Sequence, residues 1–239
     1  MTMLTRFHLS PEMIPYLLYQ RTQYILPIHN RIKRYLRFAK LSGVYANTVE
    51  KGIDRLRKDN LAQLYFDEIL EIYRNISKSL PSQSTNILDI GCGIGGINAF
   101  IYQHYKNKPN IHLLDKDGIG EIFYGFEKEA SHYNNLNLSK KFLVDNGLSE
   151  KKITTYDISK VEFPNNIEFD LVISLISWGF HYPLDTYLTN VSDMLTSGGV
   201  LILDLRKNSN DLNLLDSSYT DIEIVDEDYK RIRVAGRRL

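Results

Sequence analysis

The sequence predicts an α/β protein built on a doubly wound, mainly parallel sheet preceded by a helical segment, and three observations carry that expectation. After Pro81, apolar runs of strand length alternate with helical stretches, the pattern of strand–helix–strand units. The first of these runs passes straight into a glycine-rich turn, residues 87–96 (Ile-Leu-Asp-Ile-Gly-Cys-Gly-Ile-Gly-Gly). The last two, 220–225 and 230–234, alternate in period two on either side of the acidic turn 226–228, which reads as a terminal antiparallel hairpin added to a parallel sheet.

Taken in order, residues 11–80 read as helical. Leu61, Leu64, Tyr65, Ile69, Ile72 and Ile76 recur at three- and four-residue steps, which puts them on one helix face. Pro81 and the polar Ser-Gln-Ser-Thr after it end that helix. Further upstream Pro11, Pro15 and Pro27 divide the chain into short helices around Ile14, Leu17, Leu18, Ile25 and Ile28. Residues 1–80 therefore form an N-terminal helical cap or extension, and 81–239 the α/β domain. Within that domain strands are expected at 86–90, 110–115, 152–156, 168–174 and 199–204, with helices near 95–106, 119–134, 138–146 and 184–196.

Composition narrows the setting. At 239 residues the chain holds one α/β domain plus an extension. Cys92 is the only cysteine, so a disulfide framework and a cysteine-based tetrahedral zinc site are both excluded, and a reducing, cytoplasmic home is expected. No run approaches the roughly 20 apolar residues of a membrane span, and no signal-peptide pattern opens the chain. The zero net charge hides an asymmetry: residues 1–80 carry 13 Lys/Arg against 7 Asp/Glu, residues 81–239 carry 16 against 22. Five of the cations fall in 31–40, with Tyr35 and Phe38 between them. Such a run fits a polyanion, although a solvated helix face is the commoner use of one.

The chemistry concentrates where strands end, because ligands of doubly wound sheets bind beyond the carboxyl ends of the strands. The first strand ends in Asp89 and the turn of Gly91, Cys92, Gly93, Gly95 and Gly96. The second ends in Asp115, placed to accept both hydroxyls of a ribose diol. The third leads into Asp157 and Ile158, a carboxylate for an exocyclic amino group and an apolar side chain for a purine face. Each aspartate has a local alternative as a turn or helix cap, and Cys92 reads as a small filler rather than a nucleophile. Gly91, Gly93 and Gly96 also satisfy the dinucleotide fingerprint. A charged Asp89 inside the motif would repel a pyrophosphate, however, and would welcome an ammonium group instead.

With these residues in hand the chain resembles the class I S-adenosylmethionine-dependent methyltransferases, whose acidic-x-Gly-x-Gly-x-Gly motif is matched by Asp89, Gly91, Gly93 and Gly95. The similarity extends over about 82–239, through Asp115, Asp157–Ile158, the fourth strand at 169–174 and the turn and fifth strand at 195–204. It implies a Rossmann-like sheet of seven strands, six parallel and a last one antiparallel. It implies S-adenosylmethionine as cofactor, held by Asp89, the loop 91–95, Asp115 and Lys116, Asp157 and Ile158, and Ser174 at the tip of the fourth strand.

The acceptor is written less clearly. A hydroxyl acceptor needs a base near the transferred methyl, and His181, in the run Ser-Trp-Gly-Phe-His-Tyr-Pro after the fourth strand, is the candidate, with Tyr182 as its alternate. Trp178 and Phe180 could wall an acceptor pocket or anchor the loop in the core; Tyr124, His132 and Tyr133 could face the same pocket; Arg206 could bind an anionic group or stand as a surface cation. The Pro-Pro-aromatic tetrad of nucleic-acid amino methyltransferases is absent after Ser174, which argues against a nucleic-acid acceptor. With no carboxylate at that strand tip, no metal is expected. The resulting expectation is O-methylation of a small polar acceptor such as a sugar or sugar-like natural product, without membrane attachment and with a homodimer as the candidate assembly. Two rivals stay open: RNA or protein methylation using the basic run 31–40, and a methyltransferase-like subunit without chemistry.

Overall fold

The computed structural model describes residues 4–21, 24, 58–119 and 133–239. Among them are ten strands: β1 (Asn86–Ile90), β2 (Asn110–Asp115), β3 (Gly118–Ile119), β4 (Tyr133–Asn134), β5 (Ile153–Asp157), β6 (Phe169–Ser174), β7 (Ser177–Tyr182), β8 (Leu195–Arg206), β9 (Tyr219–Glu227) and β10 (Arg231–Arg238). The helices are α1 (Ile14–Gln20), α2 (Lys58–Ile76), α3 (Gly96–His104), α4 (Leu136–Asp145), α5 (Leu188–Met194) and α6 (Asp211–Leu215). Seven strands make one sheet in the order β5-β2-β1-β6-β8-β10-β9. All neighbouring pairs from β5 to β8 are parallel, and β10 alone runs against its neighbours β8 and β9. The closing hairpin is as the sequence pattern predicts, and the six parallel strands with a single antiparallel one are as the family resemblance implies.

The strands are nearly continuous in apolar residues because helices cover both faces, and the period-two alternation sorts them. Ile87, Ile111, Leu113, Leu171, Ile173, Val200 and Ile202 point to one buried cluster, which also takes α1, α2, α3 and α4. Leu88, Ile90, Leu114, Val172, Leu201, Leu203 and Leu205 point to the other, under α5 and α6. The N-terminal segment belongs to the first face. Phe7 is its hub, with ring centroids 5.1–5.6 Å from those of Tyr65, Phe66, Phe100 and Phe142, so α2, α3 and α4 meet on one aromatic side chain. The α2 stripe runs through Leu61, Ala62, Tyr65, Phe66, Ile69 and Ile76, whereas Leu64 is 46% exposed and lies off it.

Four local expectations change. The span 119–134 is not one helix: Gly118–Ile119 pairs with Tyr133–Asn134 as a short antiparallel ladder, and 120–132 lie outside the described residues. Asn134 and Asn135 account for its end, since the Asn135 side chain accepts the Leu138 N–H (3.1 Å) and starts α4 afresh. The segment after β6 is an extended strand, β7, rather than a loop. The helix expected at 184–196 is a 3-10 turn over Leu184–Thr186 followed by α5, and its last residues belong instead to β8, which starts at Leu195.

Candidate active site

The chain moves outward from β1 to β2 and β5, then crosses back to β6 and β8, so the strand order reverses between β1 and β6. Crevices at such a reversal, beyond the carboxyl ends, are where doubly wound sheets bind ligands. Asp89, the loop 91–95, Asp115 and Ser174 all gather there.

The loop is fastened to the next strand. The Gly91 N–H donates to the Leu114 carbonyl (2.7 Å) and the Gly93 N–H to Asp115 Oδ2 (2.9 Å). Asn134 Nδ2 donates to the same oxygen (2.8 Å) and the Lys116 N–H to Oδ1 (2.8 Å). Among the described residues every hydrogen-bond partner of the Asp115 carboxylate is thus uncharged. Burial outweighs those donors and pushes its carboxyl up to about 6. Asp89 lies deeper, 2% exposed, and takes Asn98 Nδ2 at 2.5 Å; burial first, and then the nearby Asp115, push it up to about 7 against that hydrogen bond. Cys92 packs its sulfur 3.9 Å from Asp115 Oδ2 and 3.8 Å from Asn134 Nδ2, and burial raises its thiol well above the ordinary value, as befits a filler.

The close approach that the glycines permit is used by the protein itself. A Cβ on Gly91, which sits at φ +70°, would collide with the Ser177 side chain, and one on Gly93 would come within 2.6 Å of Gln20 Oε1. At the start of α3 the Ile94 N–H donates to Gln20 Oε1 (3.2 Å) and the Gly96 N–H to the Tyr65 hydroxyl (3.1 Å). Burial pushes that phenol up to about 12, so it remains protonated at neutral pH. Next to it Glu68 accepts from Arg21 Nε (2.6 Å) and from the Tyr24 hydroxyl (2.5 Å). Helix-start amides are the groups a dinucleotide's pyrophosphate needs. Here two of them are capped by side chains of α1 and α2. Sequence reading missed Gln20, Tyr65, Asn134 and Ser177, because each reaches the site from an element whose own pattern speaks only of packing.

The other expected residues separate into two groups. Asp157 lies beside Asp115 in register, but its Oδ1 accepts the Ser159 hydroxyl (2.6 Å) and the N–H groups of Ser159 (3.1 Å) and Asp117 (3.3 Å), while Oδ2 pairs with Lys160 (2.6 Å). Partial burial raises its carboxyl, yet the Lys160 and Ser159 hydrogen bonds prevail and hold it well below the usual range. The Ile158 N–H donates to the Asp115 carbonyl (3.0 Å), tying the two strand ends together. Ser174 is buried, with Oγ donating to the Ile90 carbonyl (2.9 Å). Trp178 is wholly buried and gives its indole N–H to the Leu184 carbonyl (2.8 Å), so it anchors β7 in the core and walls no crevice. Phe180 is also buried, with the Arg206 guanidinium 5.9 Å from its ring centroid and Arg206 Nε on its carbonyl (2.6 Å).

His181 and Tyr182 follow on the exposed end of β7. Partial desolvation of the ring against the protein, and then the adjacent Arg206 charge, lower the His181 pKa, which leaves the imidazole neutral at pH 7. Burial and Asp115 raise the Tyr182 phenol, and the same two causes raise Tyr187. Tyr124, His132 and the basic run 31–40 lie outside the described residues, as does the Tyr133 side chain. Among the described residues no helix is long and apolar enough to cross a membrane, and no cluster of three metal-ligating side chains occurs.

Comparison with protein-family models gives no match, and neither does comparison with curated proteins. Solved structures do match. A Nostoc punctiforme protein described as an O-methyltransferase superposes with a TM-score of 0.51 at 12% identity, over 74% of this chain and 58% of its own. A ribosomal-protein methylase from Lactobacillus delbrueckii subsp. bulgaricus gives 0.50 at 14% identity, over 72% and 78%. The N-methyltransferase NodS of Bradyrhizobium japonicum, solved with S-adenosylhomocysteine, gives 0.49 at 14%, over 77% and 90%. At such identities what is shared is the fold, and with the strand order above it is the class I methyltransferase fold.

Proposed function

We propose that this chain, built on the class I methyltransferase fold, is an S-adenosylmethionine-dependent methyltransferase that O-methylates a small polar acceptor, such as a sugar or sugar-like natural product, in the cytoplasm. The observation that carries the cofactor is the pairing of Asp115 with the glycine loop. A carboxylate at the tip of β2, supplied among the described residues only with uncharged donors, keeps its charge for a ribose diol, while Gln20 and Tyr65 occupy amides that a pyrophosphate would require. Gly91, Gly93 and Gly95 shape the loop beside it. Asp89, raised to about 7 by burial in the free chain, would ionise fully beside an ammonium group at the amino-acid end of the ligand.

When bound, the cofactor supplies a methyl group on a sulfonium that is already a good leaving group. What the chain must add is alignment of the acceptor and removal of its proton. His181, neutral at pH 7, accepts that proton at a ring nitrogen in this reading, with Tyr182 beside it, and Phe180 and Arg206 bound the acceptor side. A small acceptor is favoured over a nucleic acid because Ser174 is followed by Leu175 and Ile176, not by the Pro-Pro-aromatic run that cradles a flipped base.

Calorimetry tests the reading directly. S-adenosylhomocysteine should bind the purified chain and NAD should not; binding of NAD with none of S-adenosylhomocysteine overturns it. Transfer of labelled methyl to a panel of sugars then reads the acceptor class, and His181→Ala should cut that transfer at least about tenfold while leaving S-adenosylhomocysteine affinity unchanged.

A further inference from the structure

Beyond the expected ligands, one side chain is held over the glycine loop by a device that reaches back to the far strands. Asp204, near the end of β8, is fully buried. Arg233 on β10 grips it with Nε on Oδ1 (2.8 Å) and Nη2 on Oδ2 (2.9 Å), and Arg231 adds Nη1 on Oδ1 (3.1 Å). The carboxylate has one further duty, because Oδ2 accepts the N–H of Ile176 (3.0 Å) in the turn between β6 and β7. Ile176 stands at φ +53°, a left-handed conformation that a β-branched residue adopts only under constraint. Its side chain is 42% exposed, so packing does not supply that constraint.

The turn returns the chain onto the site. The next residue, Ser177, lies directly against the Cα of Gly91, where any β-carbon would collide with its Oγ. Gly179, at φ +87°, then lets β7 press on Leu203 and Asp204. Among the described residues no hydrogen bond engages Ser177 Oγ. A hydroxyl thus stands over the first glycine of the loop, at the reversal between β1 and β6.

We propose that Ser177 is a contact residue for the amino-acid end of the bound nucleoside, its Oγ accepting a hydrogen bond from the ammonium group, and that Asp204 is the positioning residue that places it there through the Ile176 N–H. This rests on the methyl-donor reading above. The ammonium carries a full charge and the hydroxyl is a free acceptor beside the loop that the ligand must follow, so the hydrogen bond is of the charge-assisted kind.

The test uses two ligands that differ only in that arm: S-adenosylhomocysteine, and 5′-methylthioadenosine, a nucleoside thioether without the amino acid. On the full chain, Ser177→Ala should weaken S-adenosylhomocysteine about tenfold by calorimetry and leave 5′-methylthioadenosine within twofold. Asp204→Asn should give the same one-sided loss. Should that variant fail to fold, Ile176→Pro deletes the N–H and forbids the left-handed turn while sparing the arginine cluster, and it should reproduce the pattern. Equal losses on both ligands, or none on either, overturn the assignment. Failure of the unaltered chain to bind S-adenosylhomocysteine at all is a different result, which removes the methyl-donor reading and this inference with it.

Discussion

Asp115 and Asp204 sit at the ends of two parallel strands, β2 and β8, and their surroundings set them to opposite work. Asp204 is wholly enclosed and meets two guanidinium groups, so its charge is spent inside the fold. Asp115 meets backbone and amide N–H groups and the Cys92 thiol, all uncharged, among the described residues, so its charge is held in place but not neutralised. The difference shows how one residue type at equivalent heights of a sheet becomes a brace in one place and a ligand site in the other. Uncharged donors orient a carboxylate for an incoming group, whereas arginines consume it.

The sharpest way to break the comparison is to remove both carboxylates in turn and follow unfolding. Asp204→Ala strands Arg233, 1% exposed, beside a vacated site, at a cost of about 3–5 kcal/mol. For a chain of this size that lowers the thermal midpoint by roughly 10 °C in a circular-dichroism melt. Asp115→Ala leaves no cation behind and should melt within a few degrees of the parent. Equal melting points for the two variants would erase the distinction.

Next in size comes binding. Asp115→Ala removes the acceptor for the ribose diol, and hydrogen bonds to a charged group are each worth about 1.5–3 kcal/mol, so S-adenosylhomocysteine should bind about tenfold or more weakly in calorimetry. Asp204→Ala, measured below its melting range, should retain the nucleoside-only ligand 5′-methylthioadenosine. Loss of that ligand from the β8 variant and not from the β2 variant would reverse the assigned roles.

The two sides of the crevice also differ in how far the sequence displayed them. The sheet, its single antiparallel strand, the glycine loop and Asp115 were legible because each is local: an apolar run of strand length, a carboxylate at its end, glycines directly after it. The brace was not, since Asp204, Arg231, Arg233 and Ile176 are brought together by sheet pairing and by one hydrogen bond across 28 positions of sequence. In the sequence Trp178 stays open between pocket wall and core anchor for the opposite reason. A lone tryptophan after the fourth strand looks like pocket lining, and only the burial of β7 against the core shows it as an anchor. Gln20 and Tyr65 carry no local mark of their contact with the loop at all.

A pH titration sharpens the contrast further. Asp115 is raised to about 6 in the fold from an ordinary 3.8, chiefly by burial. A ribose diol donates to the ionised carboxyl, so S-adenosylhomocysteine affinity should fall several-fold as pH drops through about 6, and in Asp115→Asn that part of the fall should vanish, leaving only the part that Asp89 contributes near 7. Stability of the free protein moves the other way. A carboxyl raised in the fold keeps its proton longer than the unfolded chain does, so its contribution is complete below 3.8 and is lost as pH rises through about 6; Asp89, raised to about 7, adds in the same direction. Affinity that is flat with pH in the parent chain would mean that Asp115 does not hold the ligand.

The smallest effect is expected at a third carboxylate, which shows that neighbourhood rather than position decides. Asp157 pairs with Asp115 in register at the tip of β5, so position alone would give it the same duty. It is instead turned into its own chain, with Ser159 and Asp117 on one oxygen and Lys160 on the other. Lys160 is 70% exposed, and exposed ion pairs of this spacing contribute little to stability. Because hydrogen bonds depress its carboxyl, that contribution is present above 3.8 and fades as the medium becomes more acidic, the reverse of Asp115. Asp157→Ala should therefore shift the melting midpoint by less than about 3 °C and weaken S-adenosylhomocysteine by less than Asp115→Ala does. If instead it matches the Asp115 loss, the turn hydrogen bonds give way to the ligand on binding, and the two neighbouring tips work as one site.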